Sequence, residues 1–278
     1  MATLAFVHAH PDDEAILTGG TMARARAEGH RVVLIVATDG ACGEVPDDLA
    51  DGESLVDRRR RETECSAQLL GIDTIHWLGY RDSGMTGWAD NDHPNSLHRA
   101  DVDTAAARLA EIVEAERADV LVIYDWHGNY GHPDHIGVHR IGVCAEQLLA
   151  DRVAGLRVFE GTMNRDEMAR LMAEFADVGP DEGPNGSGEG FDPHAPADDG
   201  NPMGMPEDEI SHEIDVAAHL DAKRAALACH ASQVEDSSFF LSMPAEMFAR
   251  AFGSEWFIER GVEPVAGPPH QHWLFGAA

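Results

Sequence analysis

The chain has 278 residues, 44% of them hydrophobic, and carries 50 acidic against 20 basic side chains. This length and apolar content allow a substantial buried core, and no apolar run reaches 18 residues, so we expect neither global disorder nor a transmembrane helix. The formal net charge of −30 repels nucleic acid phosphates and anionic lipids, so we expect no nucleic-acid and no membrane partner.

The amino terminus and the cysteines both favour a cytoplasmic protein. The stretch from Met1 to Leu4 has no basic n-region and enters a strand-like run at once, which is not typical of a signal peptide. The cysteines lie far apart and form no Cys-x-x-Cys pair, so we predict reduced thiols that mainly fill the core. The four are Cys42, Cys65, Cys144 and Cys229.

Apolar runs and helical patterns alternate along the first 165 residues. Strands are predicted at 4–7, 32–37, 74–78, 120–124 and 158–161, and helices at 15–28, 54–70, 102–118 and 136–150. Alternation of this kind indicates an α/β protein with a Rossmann-like, doubly wound and mainly parallel sheet. Right-handed crossovers favour a strand order of about 3-2-1-4-5.

The pattern changes beyond residue 165. A short helix is predicted at 167–175, a strand at 210–216, and helices at 216–229 and 239–252. Between the short helix and the strand, residues 177–209 contain no Lys or Arg and are rich in Gly, Pro, Asp and Glu. This composition favours a flexible insertion over an ordered lid. We predict that residues 1–165 form a Rossmann-like core and that residues 166–278 complete the same domain.

The segment AHPDDE, residues 9–14, directly follows the first predicted strand. Proline followed by three acids is also typical of a helix amino terminus, where acids face the positive end of the helix dipole. Taken alone, the segment is explained at least as well by helix capping as by chemistry.

A second segment, NYGHPDH, residues 129–135, follows the fourth predicted strand in the same way. In a sheet of order 3-2-1-4-5, strands 1 and 4 are neighbours at the switch point where open α/β sheets bind ligands. Two polar turns from distant parts of the sequence are thus expected to face each other across one crevice, and helix capping does not require their histidines.

Two imidazoles and one carboxylate suit Zn²⁺, with Fe²⁺ also possible, and we expect His10, Asp13 and His135 to supply them. Three protein ligands leave a position for a water whose pKa would drop to about 7, giving a metal-bound hydroxide. A second acid, Asp12, could accept the proton from that water. Spacing alone leaves open which of the two aspartates is the ligand and which is the base.

Three further residues of the second segment complete the hypothetical site. His132 and Tyr130 are candidate donors to a developing oxyanion or leaving group. Asp134 could hold either His132 or a ligand histidine in one tautomer.

The paired segments resemble the LmbE-like, or PIG-L, family of metal-dependent N-deacetylases, and residues 77–85, WLGYRDSGM, resemble its mycothiol-type members. The resemblance implies that His10, Asp13 and His135 hold the metal, usually zinc. It makes Asp12 the general base that also delivers the proton to the leaving amine. It further implies that His132 and Tyr130 stabilise the oxyanion, that Asp134 orients His132, and that Arg59 and Asp82 bind sugar hydroxyls.

The resemblance predicts a zinc-dependent hydrolase that deacetylates an N-acetylglucosaminyl conjugate, a small-molecule amino sugar. Separately, the apolar tail at residues 267–278 is a candidate contact with the body of the protein or with a second subunit of a homo-oligomer. Three alternatives stay open. One is an amidase that cleaves a larger thiol conjugate, which would need an open groove rather than a tight acyl pocket. Another is a deacetylase of a secondary-metabolite intermediate. The third is a metal-binding protein without catalysis.

Overall fold

The structure is a computed structural model that describes residues 1–176, 192–234, 238–263 and 271–275. Its strands are β1 (Thr3–His8), β2 (Arg31–Thr38), β3 (Thr74–Tyr80), β4 (Val120–Tyr124), β5 (Arg157–Thr162), β6 (His212–Asp215) and β7 (Ser254–Glu259). Its α-helices are α1 (Gly19–Ala27), α2 (Leu55–Leu70), α3 (Val102–Glu116), α4 (Gly128–Gly131), α5 (Pro133–Leu149), α6 (Arg165–Ala176), α7 (Leu220–Cys229), α8 (Phe239–Ser242) and α9 (Ala245–Phe252).

The seven strands form one sheet in the order β3-β2-β1-β4-β5-β7-β6. The first five are parallel to one another, whereas β7 runs antiparallel to both β5 and β6. The predicted doubly wound sheet and its order 3-2-1-4-5 are therefore confirmed, with the two remaining strands added at the β5 edge.

Successive side chains of the central strands point to opposite faces of the sheet and pack into two hydrophobic cores, one on each face. In β1, Ala5 and Val7 pack on the side of α3 and α5, while Leu4 and Phe6 pack on the opposite side, which α1, α2 and α7 cover. Both faces of the strands are buried, which explains why their sequences are continuous apolar runs rather than alternating ones.

The helices begin at capping residues that the sequence supplies. Ser54 and Asp57 form a reciprocal capping box at the start of α2, and the Asp101 side chain caps α3. The helix predicted at 136–150 begins earlier, at Pro133, because His132 serves as its amino-terminal cap. Within the described ranges, no helix combines the length and the apolar character needed to cross a lipid bilayer.

The carboxyl-terminal part differs from its prediction in two elements. The helix predicted at 239–252 is two short helices, because Pro244, the cap residue before the second, cannot continue the first. Strand β7 was not predicted at all, although it joins β6 to the rest of the sheet.

The acidic segment is ordered where the structure describes it, so the preference for a flexible insertion is wrong for residues 192–209. Backbone amides of Asp198 and Gly204 donate to the carbonyl oxygens of Tyr130 (3.0 Å) and Asn129 (2.6 Å). The Arg165 guanidinium donates to the carbonyl oxygen of Met203 (2.7 Å). Glycine and proline here permit tight turns whose backbone groups find partners on the body of the protein. Residues 177–191 lie outside the described part of the chain.

The prediction of four reduced cysteines is wrong for two of them. Cys65 on α2 and Cys229 at the end of α7 form a disulfide between positions 164 residues apart, with 5.8 Å between their Cα atoms. Helices α2 and α7 pack side by side on the same face of the sheet, and this packing brings the two thiols together. Cys42 and Cys144 are free thiols.

Candidate active site

The candidate site lies at the carboxyl ends of β1 and β4, where the strand order reverses. A cavity of about 440 Å³ opens there. Of the predicted site residues, all except Asp134 line it, namely His10, Asp12, Asp13, Arg59, Asp82, Tyr130, His132 and His135. The two segments from distant parts of the sequence thus meet across one crevice, as their positions in the sheet predict.

Three donor atoms in the cavity form a nearly equilateral triangle. The Nδ1 atom of His10 lies 3.3 Å from Asp13 Oδ2 and 3.3 Å from His135 Nε2, and the last two atoms are 3.4 Å apart. Most hydrogen bonds are shorter than these contacts. Ligands at about 2.0–2.1 Å from a tetrahedral zinc ion are ~3.3–3.4 Å from one another, so the residues fit such an ion.

The second ring nitrogen of His10 faces carboxylates. Its Nε2 atom lies 3.2 Å from Asp134 Oδ2 and 3.5 Å from Asp82 Oδ1. Asp134, which is fully buried, also accepts hydrogen bonds from the Ser83 amide (2.8 Å) and hydroxyl. A proton on Nε2 satisfies these acceptors and leaves Nδ1 free to bind a cation.

The carboxylate of Asp134 therefore contacts His10, whereas its backbone amide contacts His132. The sequence left both contacts open as roles of Asp134, and the resemblance implied the one with His132. Ser83 is a residue that the sequence did not single out, because a serine in a polar turn gives no signal of its own.

Asp13 is held as a carboxylate by its neighbours. Burial opposes its ionisation, but His135 and His10 outweigh burial and keep the pKa of Asp13 well below its usual range. At His10, burial lowers the pKa, but the hydrogen bonds to Asp13 and Asp134 outweigh burial and raise the pKa well above its ordinary value. The negative charge of Asp13 is therefore balanced by the two histidines beside it.

Asp12 has an unusual backbone conformation and a shifted pKa. Its φ angle is +111°, a conformation that residues with a side chain rarely adopt. Its carboxylate accepts a hydrogen bond of 3.0 Å from Arg59. Burial raises the pKa of Asp12 to about 6, although Arg59 acts in the opposite direction. A carboxylate with this pKa can both accept and return a proton near neutral pH.

His132 is a neutral donor whose tautomer follows from its surroundings. Burial and then the neighbouring His10 lower the pKa of His132 to about 2. The Asp134 amide donates to its Nδ1 atom (3.1 Å), so the ring hydrogen lies on Nε2. Tyr130 also lines the cavity, and burial raises the pKa of its hydroxyl, which stays protonated as a second donor.

The two residues expected to bind sugar hydroxyls are buried and already bonded within the protein. Besides Asp12, Arg59 donates to the carbonyl oxygens of Pro11 and Gly40. Asp82 accepts from the backbone amides of Cys42 (3.1 Å) and Gly84 (2.9 Å). Both side chains border the cavity, and these contacts fix the shape of its polar wall.

Apolar side chains line the rest of the cavity. They come from separate parts of the chain and include Leu17, Met85, Trp88, Met163, Met203 and Phe240. Met203 belongs to the docked acidic segment, so this segment forms part of the cavity wall. The half-exposed indole of Trp88 stands at the mouth, a position that suits stacking on a sugar ring.

The fold and the site together are those of a Rossmann-like hydrolase, with a candidate metal centre at the switch point of the sheet. Residues 5–146 match the family model PIG-L, described as GlcNAc-PI de-N-acetylase. The chain belongs to the PIG-L family and is an enzyme that hydrolyses an amide bond, as the resemblance predicted.

Curated relatives of nearly equal length carry one name. A 1D-myo-inositol 2-acetamido-2-deoxy-alpha-D-glucopyranoside deacetylase from Thermomonospora curvata is 39% identical and covers 91% of this chain and 88% of its own length. Its counterpart from Nocardiopsis dassonvillei is 40% identical and covers 85% of this chain and 86% of its own length.

Solved structures share the fold at lower identity. The N,N'-diacetylchitobiose deacetylase from Pyrococcus horikoshii superposes with a TM-score of 0.59 at 20% identity, covering 93% of this chain and 83% of its own. A deacetylase of teicoplanin biosynthesis gives a TM-score of 0.57 at 18% identity, covering 94% and 100%. These likenesses support the assignment of the fold.

Proposed function

We propose that the protein is a zinc-dependent deacetylase of 1D-myo-inositol 2-acetamido-2-deoxy-alpha-D-glucopyranoside. The observation that carries the proposal is the triangle of donor atoms from His10, Asp13 and His135, with sides of 3.3–3.4 Å. The names of the relatives, at 35–40% identity over most of the chain, support this amino-sugar conjugate as the substrate. The cavity of about 440 Å³ is of a size that takes a small ligand.

In this proposal His10, Asp13 and His135 would hold Zn²⁺, with another divalent metal such as Fe²⁺ as the alternative. The bound ion would lower the pKa of a water molecule and polarise the acetyl carbonyl. Asp134 keeps the proton of His10 on Nε2, so that Nδ1 would be available to hold the ion.

The remaining steps belong to side chains of this protein. Asp12 accepts a proton from the attacking water, whose oxygen bonds to the carbonyl carbon. The Nε2–H of His132 and the hydroxyl of Tyr130 donate to the carbonyl oxygen as negative charge develops there. Asp12 then returns the proton to the amide nitrogen, the carbon–nitrogen bond breaks, and acetate and the free amine are the products.

Arg59 and Asp82 support the substrate side of this site. Arg59 holds the Asp12 carboxylate at 3.0 Å, and Asp82 borders the same wall of the cavity. We propose that both side chains also form hydrogen bonds with sugar hydroxyls. These bonds would orient the acetamido group above the donor triangle.

The test is a turnover assay with the zinc-reconstituted protein on 1D-myo-inositol 2-acetamido-2-deoxy-alpha-D-glucopyranoside, in which free amine and acetate are both measured. We expect equal amounts of the two products. Asp12→Asn should abolish turnover and keep the metal, whereas His135→Ala should lose the metal as measured by elemental analysis. A metal-loaded parent that forms no amine from this compound, or that prefers a larger thiol-conjugate amide, would contradict the proposal.

A further inference from the structure

We propose that Glu14 is a positioning residue, whose buried carboxylate, held by Ser66 and His230, fixes the backbone of Asp12. The Cys65–Cys229 disulfide clamps the two helices that present these partners. The inference rests on the proposed function, because it gives Glu14 a task in turnover only if Asp12 transfers protons.

The carboxylate of Glu14 is fully buried and does not line the cavity. Its Oε1 atom accepts hydrogen bonds from the hydroxyl of Ser66 (2.5 Å) and from His230 Nε2 (2.7 Å). Both partners are themselves fully buried. A buried carboxylate is costly to desolvate, so this arrangement is retained only where its hydrogen bonds compensate for that cost.

The other oxygen of Glu14 reaches back to the candidate base. Oε2 accepts a hydrogen bond of 3.0 Å from the backbone amide of Asp12. A non-glycine residue at a φ of +111° is strained and persists only when its surroundings hold it there. Glu14 supplies that constraint at the N–H of the Pro11–Asp12 peptide, and Arg59 supplies it at the carbonyl oxygen of the same peptide and at the Asp12 side chain.

A helix-capping role explains these contacts less well. Glu14 begins a π-helical turn, Glu14–Thr18, where an acid is common for electrostatic reasons alone. Such an acid is normally solvated, whereas this carboxylate is directed inward to a histidine 216 residues away in sequence. The long-range pair ties the loop that carries Asp12 to the carboxyl-terminal half of the chain.

The disulfide lies next to both partners of Glu14. Cys65 immediately precedes Ser66, and Cys229 immediately precedes His230. The disulfide therefore holds the backbones of Ser66 and His230 close together, and both side chains donate to the same oxygen of Glu14. Close by, Glu62 on α2 accepts hydrogen bonds from the amide (2.9 Å) and hydroxyl (2.6 Å) of Ser232, which strengthens the same junction without touching Asp12.

The matched variants are Glu14→Ala, Glu14→Gln and Glu62→Ala in the zinc-loaded chain. Glu14→Ala should lower kcat on the order of 10–100-fold with KM and bound metal nearly unchanged, because misplacement of the base affects the transition state. Glu14→Gln keeps an acceptor for the Asp12 amide and should recover most of that loss. Glu62→Ala, which removes another buried acid from the same junction, should lower the melting temperature and spare kcat.

Hydrogen exchange at the Asp12 amide provides a readout that does not depend on turnover. We expect protection in the parent and in Glu14→Gln, and faster exchange in Glu14→Ala. The double variant Cys65→Ser/Cys229→Ser, which avoids reductants that bind metal, should show intermediate exchange and an intermediate kcat.

The two proposals fail in different ways. A parent without turnover contradicts the proposed function, while the exchange of the Asp12 amide still decides whether Glu14 holds this backbone. An active parent whose Glu14→Ala variant keeps both its kcat and its Asp12 protection would overturn the inference. A Cys65→Ser/Cys229→Ser variant identical to the parent in both readouts would overturn the role given to the disulfide.

Discussion

His132 accepts a hydrogen bond at Nδ1 from the amide of Asp134, two residues further on, and this contact directs its only ring proton toward the cavity. We predict that His132→Gln lowers kcat on the order of 10²–10³-fold while KM and bound metal change little, because the donor acts on charge that appears in the transition state. Steady-state kinetics with elemental analysis of the same samples measure both quantities.

His139 provides the matched control for that substitution. It lies on α5 about two turns beyond the cap residue His132, and its Nδ1 atom contacts the carbonyl oxygen of Tyr124 (3.1 Å) outside the cavity. His139→Gln should therefore leave kcat close to that of the parent. Equal losses in the two variants, or loss of metal from His132→Gln, would contradict the role assigned to His132.

The elements differ in how strongly the sequence predicts them. The five parallel strands are buried on both faces, so each is a continuous apolar run that stands out from its polar flanks. Strand β7 instead carries Glu255 on an inward-facing position, next to the fully buried Phe257. A charge at a core position breaks the apolar pattern, and its partner on another element cannot be identified from the sequence.

The same limit applies to the candidate site. Histidine and aspartate at a strand end indicate metal chemistry by residue type, so His10, Asp13 and His135 could be chosen from the sequence. The contact of Asp134 with His10, and the pairing of Cys65 with Cys229, depend on how helices pack. Such contacts between distant residues have no signature in local composition.

The partner of Glu255 is Lys223 on α7, the single lysine of the chain. The two buried groups are 2.6 Å apart, and Glu255 also accepts from the amides of Gly20 and Thr21 at the start of α1. We propose that residues 166–278 complete one domain with residues 1–165, and this three-way junction supports the proposal because it ties strand β7 to a helix of the core.

We predict that Lys223→Met lowers the free energy of unfolding by about 3–5 kcal/mol, because it leaves Glu255 as an unpaired buried charge. If the two parts form one domain, urea unfolding should remain a single transition that fluorescence and circular dichroism report together. Arg152→Met, which breaks the exposed pair with Glu114, should cost less than about 1 kcal/mol. Separate transitions for the two parts would contradict the single domain.

At the scale of the whole molecule, 50 acids against 20 bases make the folded state repel itself. Many of the arginines are engaged in local ion pairs, such as Arg58 with Glu53 and Arg157 with Glu259, so the surplus of acids has no matching cations. Salt screens this long-range repulsion, since the Debye length falls from about 30 Å at 0.01 M to about 3 Å at 1 M.

We therefore predict that the melting temperature rises with sodium chloride between ~0.01 M and ~1 M, because screening removes more repulsion from the compact state than from the expanded one. Calorimetry at constant pH measures the shift, and glucose at equal osmolality controls for solute exclusion. The surface ion pairs weaken over the same range and act in the opposite direction. A melting temperature that falls with salt would mean that these local pairs, rather than the net charge, govern stability.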